Sequence, residues 1–185
     1  EHMTFQDYLD YFEQQLENPQ DYEPYQDEEY LNYTKMNWAR MNRWLKRFEP
    51  TTEMKSVING IAEEQHWIVI TEPWCGDAAH AVPQLYQMVK NNQHIDFEIQ
   101  LRDATPHLID DYLTNNGKSI PKLIIRNDVG HDKFIWGPRP AALQAIFESM
   151  KDEGKPFEEI KEYIQKWYND DKGLALQHEL IEALS

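Results

Sequence analysis

The chain contains one sulfur nucleophile, Cys75, set in the run Ile70-Thr71-Glu72-Pro73-Trp74-Cys75-Gly76-Asp77-Ala78. Ahead of it, Trp67-Ile68-Val69-Ile70 is a continuous apolar run, the pattern of a strand buried on both faces. Behind it, Asp77 to Asn91 reads as a helix, interrupted by Pro83. A cysteine between such a strand and such a helix meets free backbone N–H groups and the positive end of the helix dipole. Both favour thiolate over thiol, so the position makes a nucleophile expected to titrate below the ordinary value of about 8.5. A lone cysteine also packs well as a small apolar core residue, and that reading stands beside the chemical one.

The neighbours of Cys75 qualify its chemistry. Asp77 falls in the first turn of the helix, where it caps free N–H groups and where its charge opposes thiolate formation. His80 lies five residues on, about 140° around the helix, which argues against a direct base role. The seven histidines show no ligand spacing, and a single cysteine excludes both a thiolate zinc cage and a disulfide-stapled fold, so no metal and no cofactor is expected.

The elements that must position this thiol follow from periodicity. Ile95, Phe97, Ile99 and Leu101 alternate as a strand does. Thr105 and Pro106 open an expected helix with Leu108, Ile109, Tyr112 and Leu113 inside, closed by Asn115-Asn116-Gly117. Lys122 to Arg126 and Lys133 to Trp136 form a hairpin around Asn127–Gly130. Helices follow at about 140–151, 156–169 and 173–184. A short helix over about 51–65 precedes the first strand, and no convincing strand precedes it. The order predicts an α/β sandwich with a mixed sheet.

Two further helices come first, at 4–17 behind Thr4 and at 28–48, each with an apolar stripe. Residues 1–30 carry ten acids, Glu1 included, and no Lys or Arg; residues 31–48 carry five bases and no acid. Such opposed charge invites an antiparallel hairpin, although burial is expected to hold the pair more than ion pairing does. The expected divisions are a helical extension at 1–50, a central domain at 51–151 and a second helical extension at 152–185.

In 185 residues and 22.1 kDa, 18 Lys and Arg face 33 Asp and Glu, a formal charge of −15. That field repels nucleic-acid phosphates and anionic lipid. No apolar run reaches the roughly 20 residues of a membrane span, and no secretory signal pattern is present. Glu1-His2 reads as a cloning remnant ahead of a start methionine, Met3. A cytoplasmic protein is expected.

The chain resembles the thioredoxin family over about residues 51–151. Trp74-Cys75-Gly76 matches the opening of its active-site motif, and Pro83 sits where thioredoxins kink the same helix. Ser119-Ile120-Pro121 ahead of Lys122-Leu123-Ile124-Ile125 matches the cis-proline loop, and Trp136-Gly137-Pro138 falls where the last strand meets the final helix. The Glu-Pro-Trp-Cys-Gly-Asp and Trp-Gly-Pro-Arg-Pro runs look like a bacterial thioredoxin-like branch. The resemblance implies a three-layer α/β/α thioredoxin fold with extra terminal helices, and a cis Ile120-Pro121 bond opposite Cys75. It implies Cys75 as nucleophile, with Trp74, Gly76, Ile120, Pro121 and Gly137 forming a substrate groove. Arg139, in the loop implied to lie beside Cys75, would pair with the thiolate or with a carboxylate of a bound thiol.

The sequence departs from that family at two places. Ala78 stands where a resolving cysteine is usual, as a natural residue or as an engineered trap. Val69 stands where a buried acid is usual, with Glu72 as a candidate substitute. One sulfur cannot complete a dithiol cycle within one chain. The expectation is therefore monothiol exchange with a small thiol or a protein thiol or disulfide as partner. The alternative is a non-catalytic binding module that uses the same groove.

Overall fold

The structure, a computed structural model, describes residues 2–185; Glu1, counted above in the acidic block, lies outside them. Four strands, β1 (Gln65–Thr71), β2 (Ile95–Leu101), β3 (Lys122–Asn127) and β4 (Asp132–Trp136), form one sheet in the order β2-β1-β3-β4. β1 and β2 run parallel, with α4 (Gly76–Val89) as the crossover between them. β3 is antiparallel to β1, and β4 is antiparallel to β3. Every residue from Trp67 to Ile70 is at most 2% exposed. Both faces of central β1 are therefore covered, which is what its uninterrupted apolar run requires. The fold is the mixed α/β sandwich that the order of elements predicts.

Two helices precede the sheet's own α3 (Thr52–Asn59): α1 (Phe5–Glu17) and α2 (Glu28–Arg47). Thr4 and Asp7 close a reciprocal capping box at the start of α1, Asp27 caps α2, and Thr51 caps α3. Phe5, Tyr8, Phe12 and Met41 are buried in the main core. Phe5 stacks on Tyr86 of α4 at 4.1 Å, and Phe12 meets Trp38 of α2 at 5.0 Å. Among the described residues no salt bridge joins the acidic and basic blocks, so their packing rests on apolar contact. After β4 come α5 (Ala141–Asp152), α6 (Phe157–Asp171) and α7 (Leu174–Leu184).

Two expectations change. Pro83 does not interrupt α4, which runs through it. Val82 and Leu85 on either side are at most 1% exposed, and their packing outweighs the one helical hydrogen bond that proline removes. The helix expected after Pro106 is only a 3-10 turn, Leu108–Asp111. His107, Asn115 and Asn116 adopt left-handed φ of 58°, 50° and 66°, leaving too short a span for an α-helix to nucleate. Met3 makes an isolated backbone bridge to Ile99 on the free edge of β2, with the Ile99 N–H donating to its carbonyl at 2.8 Å.

Candidate functional site

Cys75 is the N-cap residue of α4. Its N–H donates to the Glu72 carbonyl at 3.1 Å, and its own carbonyl accepts from Ala79 at 3.2 Å, opening the helix. The thiol donates to the Ile120 carbonyl at 3.4 Å. The Ile120-Pro121 peptide bond is cis. Gly137, at φ 115°, lies against this loop, and a Cβ there would sit 2.2 Å from the Pro121 carbonyl oxygen. Only glycine combines that φ with so close an approach.

Trp74, Cys75, Gly76, Ile120 and Arg139 line one pocket of about 700 Å³. Pro121 and Gly137 are not on its wall; they lie against each other. The other walls come from α2 through Tyr30 and Tyr33, from α5 through Phe147 and Lys151, and from α6 through Phe157 and Lys161.

The thiol is not the low-pKa nucleophile that its place at the helix start predicts. Cys75 is 8% exposed, and burial, followed by the nearby Asp77 charge, pushes it up to about 12. The N–H groups of Ala78 and Asp77 and the Arg139 charge act the other way and are outweighed. Helix-start position favours a thiolate only while water or cations solvate it; the surrounding helices remove the water.

Arg139 is already engaged. Its Nε donates to Asp77 Oδ1 at 3.0 Å, its Nη2 meets Asp77 Oδ2 at 2.9 Å, and Nη1 donates to Gln144 at 3.0 Å. The guanidinium lies 3.9 Å from the Phe147 ring centroid. Asp77, 8% exposed, also accepts from the Tyr168 hydroxyl at 2.6 Å. Glu72 is buried too, and its carboxylate accepts from the Asp103 N–H at 2.9 Å. Burial raises it to about 7. No hydrogen bond links it to the Cys75 sulfur. Ala78, at 2% exposure, leaves no second sulfur.

His80 serves structure. Nδ1 accepts from Trp44 Nε1 at 2.9 Å, so the proton is on Nε2, which donates to Gln165 Oε1 at 2.5 Å. The ring stacks on Tyr168 at 4.3 Å, and burial lowers its pKa to about 4. One neutral imidazole thus joins α2, α4 and α6.

Several residues that shape the site carry no local motif. Asn37, fully buried, donates to the Pro73 carbonyl at 3.1 Å. Tyr33 places its hydroxyl where a Cβ on Gly76 would lie, 2.2 Å away. Glu179 of α7 accepts from Trp136 Nε1 at 2.7 Å and from the Ala141 N–H at 2.8 Å, completing the start of α5. One signal was available: Asn37 falls on the apolar stripe of α2, at helical spacing from Met41, Trp44 and Phe48. The fold also gathers a group of metal-ligand type that the histidine spacing does not show. His2, His66 and Glu98 bring ligand atoms within 4.8 Å of one another, because β1 and β2 pair His66 with Asp96, two residues from Glu98.

The thioredoxin family model matches residues 23–151, more than half of the chain. The chain belongs to the thioredoxin family. The match begins ahead of α2, so it takes in that helix as well as the sheet. Among solved structures, a protein of unknown function from Pseudomonas aeruginosa superposes with a TM-score of 0.61 at 13% identity, covering 80% of this chain and 84% of that one. An HIV epitope scaffold gives 0.57 at 15% identity, covering 82% and 83%. Both show a shared fold. No curated protein matches the chain. Among the described residues no helix of this thioredoxin-like protein is long and apolar enough to cross a membrane.

Proposed function

We propose that this thioredoxin-like protein carries out monothiol thiol–disulfide exchange through Cys75. The observation behind the reading is the position of the chain's only thiol, on the wall of a large pocket and against the Ile120-Pro121 loop. In the first step the Cys75 thiolate attacks one sulfur of a disulfide R–S–S–R′. The S–S bond breaks, R′S⁻ leaves, and Cys75–S–S–R forms. With Ala78 in the motif, an outside thiol R″SH must then attack the mixed disulfide, releasing R–S–S–R″ and returning Cys75, while its proton goes to R′S⁻. Electrons come from that outside thiol, so no bound cofactor is needed. The chemistry suits a thiol-rich cytoplasm and the bacterial branch with a Trp-Cys-Gly-Asp-Ala motif.

The scarcity of thiolate at Cys75 favours a second reading, a binding module that holds a ligand without exchange. A small mixed disulfide with excess small thiol separates the two. Slow turnover that vanishes in Cys75→Ser supports exchange. Insulin-type disulfide reduction is expected to be negligible in the wild type and to rise in Ala78→Cys, which supplies a resolving thiol at high effective concentration. Identical behaviour of wild type and Cys75→Ser, with ligand still bound, selects the binding module.

A further inference from the structure

We infer that the pocket beside Cys75 selects a small thiol or disulfide bearing carboxylate groups, in preference to a disulfide of a folded protein. The inference rests on the exchange reading for what happens at the sulfur, and on the pocket alone for what enters.

Enclosure sets the size of the ligand. The pocket is walled by α2, α5 and α6 as well as by the motif and the Ile120 loop, and its volume of about 700 Å³ is that of a small-molecule site. A folded protein surface would have to reach past these walls to a thiol that is 8% exposed, whereas a small molecule enters between them.

Charge sets its chemistry. Five of the chain's 18 bases line the pocket, against three of its 33 acids. Arg139 and Asp77 neutralise each other, which leaves four bases against two acids. A molecule of net charge −15 thus turns a locally cationic cavity toward its single thiol. The cations are also held in place against the walls. Arg102 lies 4.6 Å from the Trp74 ring centroid, Lys151 lies 5.4 Å from Phe147, and Lys161 lies 4.9 Å from Tyr33 and 5.0 Å from Phe157. Arg102, Lys118 and Lys161 have carboxylate partners, Asp103, Asp110 and Glu158, whose side chains are 54%, 57% and 74% exposed. Such exposed pairs contribute only about 0–1 kcal/mol, so a ligand carboxylate inside the pocket can replace them. Cations arrive from two directions, Arg102 beside Trp74 and the two lysines from α5 and α6, which suits a ligand with more than one carboxylate.

The test separates binding from exchange. S-methylglutathione, whose thioether cannot exchange, and its dimethyl ester, in which both carboxylates are masked, each with the amine acetylated so that the ester is neutral, are titrated by calorimetry into wild type and into Lys151→Glu/Lys161→Glu at low salt. The acid is expected to bind at least about tenfold more tightly than the ester, and the double variant to lose about tenfold or more. Exchange is measured separately on the neutral 2-hydroxyethyl disulfide with excess thiol. Acid and ester binding alike, or an acid that fails to bind at millimolar concentration, overturns the inference even if exchange on the neutral disulfide proceeds. Preference for the acid without any exchange supports the inference and overturns the exchange reading instead.

Discussion

The sharpest consequence of the site is the pH at which Cys75 reacts. With its pKa pushed up to about 12, the thiolate fraction at pH 8 is about one in 10⁴, whereas an ordinary thiol near 8.5 is about one quarter ionised. Alkylation of the folded protein by iodoacetamide should therefore be about 10³-fold slower than that of the unfolded chain. Its rate should rise about tenfold per pH unit from 7 to 10 without an inflection. Restricted access lowers the whole curve but not its slope, so the slope reports ionisation. Asp77 is the perturbation that tests the cause. Asp77→Asn removes a neighbouring anion and leaves the Arg139 charge uncompensated, while the new amide oxygen still accepts from Tyr168. Neighbouring charges move a pKa by about 1–3 units, so alkylation at pH 8 should accelerate between about ten- and a thousandfold. A wild-type inflection below about 9 refutes the burial argument. A folded Asp77→Asn protein that reacts at the wild-type rate refutes the electrostatic one.

Two further outcomes follow from buried neighbours. Glu72 is raised to about 7 from an ordinary value near 4.5, so above pH 7 the fold carries a buried charge, a penalty that disappears as pH falls toward 4.5. Glu72→Gln should add up to about 3 kcal/mol at pH 8 and nothing near pH 4.5, read by urea unfolding at both; equal effects at the two pH values contradict the assignment. Gly76→Ala should destabilise by about 1–3 kcal/mol because its Cβ meets the Tyr33 hydroxyl, and Tyr33→Phe should restore much of that loss. A double variant no more stable than Gly76→Ala alone places the strain elsewhere.

How much of this was legible in the sequence depended on the range of the interaction. The strands of the sheet, the Thr4 and Thr51 caps and the helix starts at Pro140 and Pro156 are local signals, and they appear within a residue or two of where the pattern puts them. The resemblance brought Cys75, Ile120 and Arg139 to one place, and they do line one pocket. The ionisation of Cys75 was not legible. The local rule reads the helix start and its N–H groups, whereas the outcome is decided by burial under helices remote in sequence. The same distance hid the supports of the motif: Asn37 is 36 residues from Pro73, Gln165 is 85 from His80, and Tyr168 is 91 from Asp77. The motif alone leaves Arg139 to pair with the thiolate or with a ligand carboxylate; its bidentate pairing with Asp77 is a tertiary fact.

Helices α2, α6 and α7 converge on the motif and its surroundings, and this bears on what the missing resolving cysteine means. α2 reaches it through Asn37 at Pro73 and Tyr33 at Gly76, α6 through Gln165 at His80 and Tyr168 at Asp77, and α7 through Glu179 beside Trp136. The central tie is a neutral histidine with a pKa near 4, so it stays uncharged from pH 5 upward and the enclosure does not loosen with pH there. A dithiol exchanger needs an open groove, because its substrate is another protein's surface and its second sulfur ends the reaction from within. In this chain Ala78 removes the internal ending while α2 and α6 add walls to the groove. The two features belong together: a walled pocket admits a small thiol as readily as a small disulfide. On the proposed exchange, the second sulfur arrives as a separate molecule at the same site rather than residing in the chain.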